Sequence, residues 1–120
     1  MANQVVWVDI AVADLERAVR FYSAVLGTPL ATHEMQGMTL AFLPSESGDV
    51  GGCLFASEKE KPGAQGPLIY LNCNGRLEAA VAEVEKNGGK ILKPAHSIAP
   101  HGNRAVILDS EGNRVALHSR

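Results

Sequence analysis

Apolar and polar side chains alternate at the start of the chain. Between Val5 and Val12 the pattern has a period of two, which is typical of a strand whose two faces differ. Trp7, Asp9 and Ala11 share one face, and the opposite face is aliphatic. The pattern therefore predicts a strand with one face for the core and a second face that carries an indole and a carboxylate.

The period changes to that of a helix after Asp14. Apolar side chains then recur every three or four positions, as they do along one face of a helix. The stripe consists of Leu15, Ala18, Val19, Tyr22, Val25 and Leu26. The Asp14 carboxylate suits the first position because it accepts a hydrogen bond from an unpaired backbone N–H. Gly27 suits the end, where a left-handed residue is favoured, and Pro29 prevents the helix from resuming.

Three short apolar segments follow the predicted helix. Residues 30–35, 38–43 and 50–56 are separated by Gly37 and by residues 44–48, which include Pro and Gly. Short apolar segments bounded by such residues predict strands, and their close spacing predicts that they are connected as hairpins.

The same order of patterns begins again at residue 68. A strand is predicted over 68–73, and a helix is predicted to open at Gly75 and to end at Gly88-Gly89. Its apolar stripe consists of Leu77, Ala80, Val81 and Val84. The last three strands are predicted at Lys90–Lys93, Arg104–Leu108 and Asn113–His118. Residues 94–103 are predicted to be a loop, and residues 109–113 a hairpin turn with glycine at the position that needs a positive φ.

A strand, a helix and three strands therefore occur twice, about 60 residues apart. The predicted fold class is α+β, with mixed α/β order, in one domain over 1–120. Two βαβββ modules cover residues 1–57 and 68–120, and the charged, Pro- and Gly-rich residues 58–67 are the predicted linker. Each helix covers one sheet face, and the other face needs a partner too. We therefore expect the two sheets to curve around a shared cavity, where small ligands commonly bind.

Composition narrows the classes of function. The net charge is -2 with mixed signs, which argues against a nucleic-acid partner, because such proteins cluster Lys and Arg on one face. No run of about 18 apolar residues is present, so no membrane partner is expected. The first residues also lack the pattern of a signal peptide, which predicts a cytoplasmic protein. Cys53 and Cys73 have no CxxC spacing, and two buried thiols are expected, with a disulfide as the alternative.

Three segments carry a resemblance to a known family: VDIAVADLERAVRFYSAVLG, GRLEAAVAEVEKNGGKIL and LDSEGNRVALHS. In this order they resemble the vicinal oxygen chelate superfamily, which includes glyoxalase I, bleomycin- and fosfomycin-resistance proteins and extradiol dioxygenases. The resemblance covers nearly the whole chain and implies the glyoxalase/bleomycin-resistance-like fold. In that family the modules pair within or between chains, so a homodimer is expected. The resemblance does not identify a single function, because this fold occurs in binding proteins and in several kinds of enzyme.

The resemblance also implies where a metal would be held. The family's metal enzymes place four ligands, typically His, Gln or Glu, on the first and last strands of each half. The matching positions here are Trp7, Cys53 or a neighbour, Leu68 or Ile69, and Ala116. On the fifth strand the choice depends on whether Arg76 is an insertion, which is favoured because it turns Tyr70 and Asn72 toward the cavity. Since at most Cys53 offers a ligand atom, no metal and no cofactor are predicted.

The cavity face offers other chemistry. Candidate ligand-binding residues are Trp7, Asp9, Cys53, Tyr70, Asn72, Arg114 and His118. An aromatic wall with a few polar groups suits a flat, partly apolar molecule with a carbonyl or anionic group, and Arg114 could hold a carboxylate with two hydrogen bonds. Asp9 and His118 are the catalytic candidates, as base and acid, if they approach each other.

These candidates also have structural interpretations. Trp7 could fill the core, and Asp9 could simply pair with Arg114 or His118, since buried carboxylates need partners. His118, near the end of the chain, could be merely exposed. Cys53 would act as a nucleophile only with a basic neighbour that lowers its pKa.

Two further pairs of residues are ambiguous. His96 and His101 lie in the Pro-containing loop and would need a third ligand to hold a metal. Otherwise they cap the loop or cover the cavity. His33 and Glu34 point to opposite faces of a predicted strand, so only one of them faces the cavity.

Three classes of function remain open. The predicted function is a glyoxalase/bleomycin-resistance-like protein that binds a small organic molecule without the family's metal. The alternative is a lyase, isomerase or dioxygenase of glyoxalase lineage that uses side-chain acid–base chemistry or a metal at new positions. The third is an interaction domain whose cavity is incidental. An open, polar cavity near Trp7 and His118 would separate the first two from the third.

Overall fold

The computed structural model describes residues 3–120, so Met1 and Ala2 of the predicted first module lie outside the described residues. The first half contains β1 (Trp7–Val12), α1 (Leu15–Leu26), β2 (Thr32–Met35), β3 (Met38–Phe42) and β4 (Gly51–Ala56). The second half contains β5 (Ile69–Asn72), α2 (Leu77–Val84), β6 (Lys90–Ser97), β7 (Asn103–Leu108) and β8 (Arg114–Ser119). This order confirms the mixed α+β fold with two βαβββ units.

Each half forms its own four-stranded sheet. The strand orders are β1-β4-β3-β2 and β5-β8-β7-β6. In each sheet the first strand pairs in parallel with the last, and the remaining neighbours are antiparallel. As a result, the first and last strands of each half, which carry most of the candidate site residues, lie side by side.

Helix α1 begins and ends where the sequence predicts. The backbone N–H of Arg17 donates to the Asp14 carboxylate at 3.1 Å, and Gly27 has a φ of 74°. The helix buries Ala18, Phe21, Tyr22 and Val25. The predicted stripe omits Phe21, whose ring packs edge-on against that of Tyr22 in the core.

Helix α2 begins at Leu77, after Arg76, and not at Gly75. It ends in a 3-10 turn over Glu85–Asn87, followed by Gly88 with a φ of 94°. Gly89 then lets the chain pass close to β7, because an added Cβ would lie 2.5 Å from the carbonyl oxygen of Leu108. Within residues 3–120 no helix has the length and apolar character needed to cross a membrane.

One hydrophobic core joins the two halves. Helices α1 and α2 contact each other, and apolar residues of both sheets pack against them. The sheet residues of this core include Ile10, Val12, Ala41, Leu54, Leu71, Ile107, Val115 and Leu117. We call the sheet surface turned away from the helices the open face. Its side chains alternate along each strand with these core residues.

Strand β6 is longer than the sequence predicts. It runs past Pro94 to Ser97, whereas the prediction ends it at Lys93 and places a loop over 94–103. The pairing with β7 shifts on both sides of Lys93, and β6 lies at the edge of its sheet. Bulges and edge positions tolerate a proline, which cannot donate a hydrogen bond to a neighbouring strand. His96 therefore lies on a strand and not in a loop.

The turn between β7 and β8 fastens the second half to the first. Glu111 accepts hydrogen bonds from the backbone N–H groups of Ala13 and Asp14, and it pairs with Arg17 at 2.8 Å. Asn113 donates from its side chain to the carbonyl oxygen of Ala11 at 2.8 Å. These contacts hold the end of β1 and the start of α1 against the second sheet.

Candidate functional site

The open face of the first sheet carries a hydrogen-bonded group of three side chains. Trp7 Nε1 donates to Oδ1 of Asp9 at 2.8 Å. Cys53 is the register partner of Asp9 on β4, and its Sγ donates to the same oxygen at 3.3 Å. Neither contact uses Oδ2 of Asp9. Two neutral donors therefore hold the carboxylate in place through one of its two oxygens.

Cys53 acts in this group as a hydrogen-bond donor. Burial raises the pKa of its thiol to about 11, and the hydrogen bond to Asp9 and the negative charge of that carboxylate contribute to the rise. The thiol is thus protonated at neutral pH. This shift is opposite to the one that a nucleophilic cysteine needs, so the structure does not support that interpretation. Cys73 is also buried, and both cysteines are free.

Two glycines make room for this group. A Cβ at Gly51 would lie 3.0 Å from the Trp7 ring, and a Cβ at Gly52 would lie 2.8 Å from the carbonyl oxygen of Val8. Side chains at these positions would push the indole away or separate β1 from β4. The Gly51-Gly52 pair therefore allows Trp7 to lie across β4 on the open face.

An aromatic surface extends from Trp7 across the first sheet. The Trp7 and Phe42 rings meet edge to face with 5.8 Å between their centroids, and the His33 ring lies 4.9 Å from that of Phe42. His33 is therefore on the open face, and Glu34 points to the other side of β2. Trp7 is 47% exposed, so it does not fill the core of this chain. Sequence reasoning missed Phe42, which alternation with the buried Ala41 could have indicated.

On the second sheet, β5 has the orientation expected if Arg76 is an insertion, with Tyr70 and Asn72 turned away from the helices. Leu71 belongs to the core and Ile69 packs against it, whereas Tyr70 and Asn72 are exposed on the open face. Arg114 and His118 alternate with the core residues Val115 and Leu117, and they too lie on the open face. The second sheet thus presents mainly polar side chains, in contrast to the aromatic surface of the first.

A row of polar side chains crosses this second sheet. The register pairs Asn72 with His118, His118 with Arg104, and Arg104 with His96. Arg104 donates from Nε to His96 Nε2 at 3.1 Å and from Nη1 to the Tyr70 hydroxyl. Sequence reasoning missed Arg104, although its alternation with the buried Ala105 indicates the open face.

The two sheets meet at a groove of about 840 Å³ between β1 on one side and β5 and β8 on the other. Four of the predicted ligand-binding residues line it: Trp7, Asp9, Tyr70 and Arg114. Cys53, Asn72 and His118 do not. The predicted linker also contributes, through residues such as Lys61 and Gln65. The structure therefore brings together about half of the predicted set in one place.

Asp9 and His118 do not form an acid–base pair. The hydrogen bonds of Asp9 are with Trp7 and Cys53. His118 Nε2 donates to the carbonyl oxygen of His101 at 2.6 Å, and its ring packs against that of Tyr70. The alternative in which Asp9 pairs with Arg114 or His118 is not seen among the hydrogen bonds and ion pairs of residues 3–120, although Asp9 and Arg114 line the same groove.

The four positions that the resemblance assigns to metal ligands do not fit a divalent cation. Trp7 and Cys53 both donate to Asp9, and Ala116 is fully buried without a ligand atom. At the position given as Leu68 or Ile69, either side chain is aliphatic; Leu68 lines the groove and Ile69 packs against the core. In the described part of the chain, no three His, Cys, Asp or Glu side chains are grouped closely enough to hold a metal. The residues present thus do not suit the metal of the family's metal enzymes.

The sequence matches a known family over most of its length. A family model described as Glyoxalase/Bleomycin resistance protein/Dioxygenase superfamily matches residues 4–117. A Glyoxylase-like domain-containing protein from Didymella fabae is 30% identical over 129 residues, a match that covers 98% of this chain and 94% of that protein.

Solved structures with the same fold are similar along their whole length. A glyoxalase/bleomycin resistance protein from Albidiferax ferrireducens has a TM-score of 0.78 at 20% identity, covering 98% of this chain and 99% of that one. A glyoxalase-related enzyme from Fulvimarina pelagi has a TM-score of 0.73 at 18% identity, covering 99% and 89%. At these identities the likeness concerns the fold alone.

Proposed function

Because the chain belongs to the Glyoxalase/Bleomycin resistance protein/Dioxygenase superfamily, we propose that it binds a small organic molecule in the groove between β1 and β5, without a metal at the family's positions. The observation that carries the proposal is the groove itself. Its volume of about 840 Å³ lies in the range of sites for small ligands, and it combines apolar walls with a few polar groups.

Arg114 favours a ligand that carries a hydrogen-bond acceptor. Its Nη2 donates to the carbonyl oxygen of Gly66 at 3.0 Å, but among the described residues its buried Nε–H has no hydrogen-bond partner. A buried polar group without a partner costs about 1–3 kcal/mol. A carboxylate or carbonyl oxygen in the groove would satisfy this donor after a change of the Arg114 rotamer, because the Nε atom is buried in the present conformation.

The opposite wall of the groove, formed by β1, indicates two further properties of the ligand, a flat apolar part and a hydrogen-bond donor. The exposed Trp7 indole offers a flat apolar surface, and Oδ2 of Asp9 offers an acceptor for a ligand hydroxyl or amine. The groove therefore suits a flat, partly apolar molecule that has an acid or carbonyl group at one end and a hydrogen-bond donor at the other.

Tryptophan fluorescence tests this proposal, because Trp7 is the only tryptophan of the chain. Small carboxylates and aromatic acids are screened for a saturable change in emission. We expect Arg114→Ala to weaken any hit by about 1.5–3 kcal/mol, the usual contribution of a charged hydrogen bond. Arg20→Ala, at an exposed arginine of α1, is the matched control.

His118→Ala shows how far the site extends. His118 was expected to take part in binding, yet it lies outside the lining of the groove. A hit weakened by this change would extend the site across β8. A hit whose affinity is unchanged in both Arg114→Ala and His118→Ala would place the ligand elsewhere and contradict the proposal.

The proposal also covers the compartment and the oligomeric state of the protein. We infer a cytoplasmic homodimer without nucleic-acid or membrane partners. The two buried, free thiols support a reducing compartment. The exposed aromatic surface of the first sheet supports pairing with a second chain.

A further inference from the structure

Arg104 has an environment that the proposed function does not use. It lies on β7, and its guanidinium is held between His96 and the Tyr70 hydroxyl. We propose that Arg104 is the centre of a second binding site, which takes an oxyanion such as a carboxylate or a phosphate and is flanked by His96 and His118. This inference goes beyond the proposed function, because the site needs no ligand in the groove.

The charge of Arg104 is not balanced by an acidic side chain. In the described part of the chain, Arg17 and Glu111 form an ion pair, but Arg104 has no such partner. Its two hydrogen-bond acceptors, an imidazole nitrogen and a phenol oxygen, are both neutral. A partly buried guanidinium with only neutral partners attracts an anion, since charge-assisted hydrogen bonds are stronger than neutral ones.

His96 fixes the orientation of the guanidinium. His96 Nδ1 lies 2.8 Å from the carbonyl oxygen of Pro94, which can only accept, so this nitrogen carries the proton. The other ring nitrogen, Nε2, therefore accepts from Arg104. Tyr70 holds the guanidinium at a second point, and the remaining N–H groups are left for a ligand. An arginine held in advance in this way loses little side-chain freedom when an anion binds.

The neighbouring strands continue the polar row beside Arg104. His118 already donates from Nε2 to the carbonyl oxygen of His101, so within this row Asn72 is the neighbour that is left to donate. His118 is the register partner of Arg104, and Asn72 is the register partner of His118, so their side chains lie in one row on the open face. The side-chain oxygen of Asn72 accepts from the backbone N–H of Asn74. The amide nitrogen of Asn72 is thereby left to donate, and it lies two strands from Arg104 at the far end of the row.

Titration of ¹⁵N-labelled protein by NMR tests the proposal. Sodium benzoate and sodium phosphate are added in separate arms, with sodium chloride as the control for ionic strength. We expect a saturable shift of the Arg104 Nε–H signal, and the tighter of the two anions identifies the source of the oxyanion. Arg104→Gln should weaken binding about tenfold or more, because it removes the charged donors. Arg20→Gln, at an exposed arginine, should leave binding unchanged.

Several results would overturn this site. One is the absence of a saturable shift with both anions, and another is equal weakening by Arg104→Gln and Arg20→Gln, which would indicate diffuse attraction. If Arg104→Gln does not fold, the test uses two other measurements. A saturable shift of the Arg104 signal in the unmodified protein, with weaker anion binding by Arg104→Lys, would support the site, and the absence of both would overturn it. Shifts centred on Arg114 and Gly66 would contradict the site at Arg104 while supporting the proposed groove.

Discussion

Asp9 shows how the partners of a single residue define its chemistry. The sequence allows it to be a base, an ion-pair partner or a ligand for a bound molecule. In the structure, Trp7 and Cys53 both donate to Oδ1, and within residues 3–120 no cationic side chain forms an ion pair with Asp9. Asp9 is therefore a carboxylate held by two neutral donors, Trp7 and Cys53, which stand at positions that the resemblance assigns to metal ligands.

Metal analysis tests this conclusion at the scale of the residue. We expect the purified protein to carry no stoichiometric Zn, Ni, Fe or Mn at the family's positions, because Trp7, Cys53, Leu68 or Ile69, and Ala116 do not form a ligand set. One ion per chain that is lost on Cys53→Ala would show the conclusion to be wrong. An ion lost on His96→Ala or His101→Ala would leave these positions empty but support the enzyme alternative.

The turn between β7 and β8 is the element that aligns the two halves. Glu111 accepts from the backbone N–H groups of Ala13 and Asp14, which directly precede helix α1, and its carboxylate pairs with Arg17. Because Ala13 and Asp14 directly follow β1, this contact holds the end of β1 against the second sheet, together with the hydrogen bond from Asn113 to Ala11. The groove of the proposed function depends on that placement of β1.

The pH dependence of stability measures this contact. Burial alone would raise the pKa of Glu111, but the hydrogen bonds from Arg17, from the Asp14 backbone and from Ser110, with the charge of Arg17, lower it from 4.5 to about 2. A carboxyl group whose pKa is lower in the folded state stabilises the protein above its unfolded pKa. This stabilisation is lost as the pH falls from about 4.5 toward 2.

Glu111→Gln should therefore lower the free energy of unfolding at pH 7 by about 1–3 kcal/mol. The difference from the unmodified protein should shrink as the pH falls through the same range. Urea unfolding at a series of pH values measures both quantities, with Glu58→Gln, at an exposed position of the linker, as the control. Parallel pH profiles of the unmodified protein and Glu111→Gln would contradict the role of this contact.

At the scale of the whole molecule, the helices cover one side and leave the open face uncovered. Trp7 and Met38 lie on that face of the first sheet with 47% and 42% of their surface exposed. Monomeric proteins rarely expose large contiguous apolar patches, and such patches commonly mark interfaces. The open face therefore supports the expectation of a homodimer.

Sedimentation at micromolar concentration tests the dimer. We expect a species of twice the 12.7 kDa chain mass. Met38→Glu, which places a charge on the open face, should shift the equilibrium toward the monomer, whereas Arg20→Glu on α1 should not. A single 12.7 kDa species of the unmodified protein would rule the dimer out at that concentration.

Local features of the sequence were enough to predict most helices and strands. The Asp14 cap and Gly27 define helix α1 within one turn of chain, and alternation along β1 and β8 places Trp7 and Arg114 opposite the core. The end of β6 could not be predicted in this way. Pro94 normally indicates the end of a strand, and only the edge position and the bulged pairing of β6 with β7 allow the strand to continue.

The sequence by itself determined the repeat of two βαβββ units and the face on which most site residues lie, because periodicity and caps act over a few neighbouring residues. It did not determine which of those residues meet. Cys53 reaches Asp9 through the parallel register of β1 and β4, and Arg104 reaches Tyr70 across β8. Register and the packing of one sheet beside the other depend on contacts between distant segments. Only the tertiary structure therefore separates Asp9 from His118 and places Arg114 in the groove.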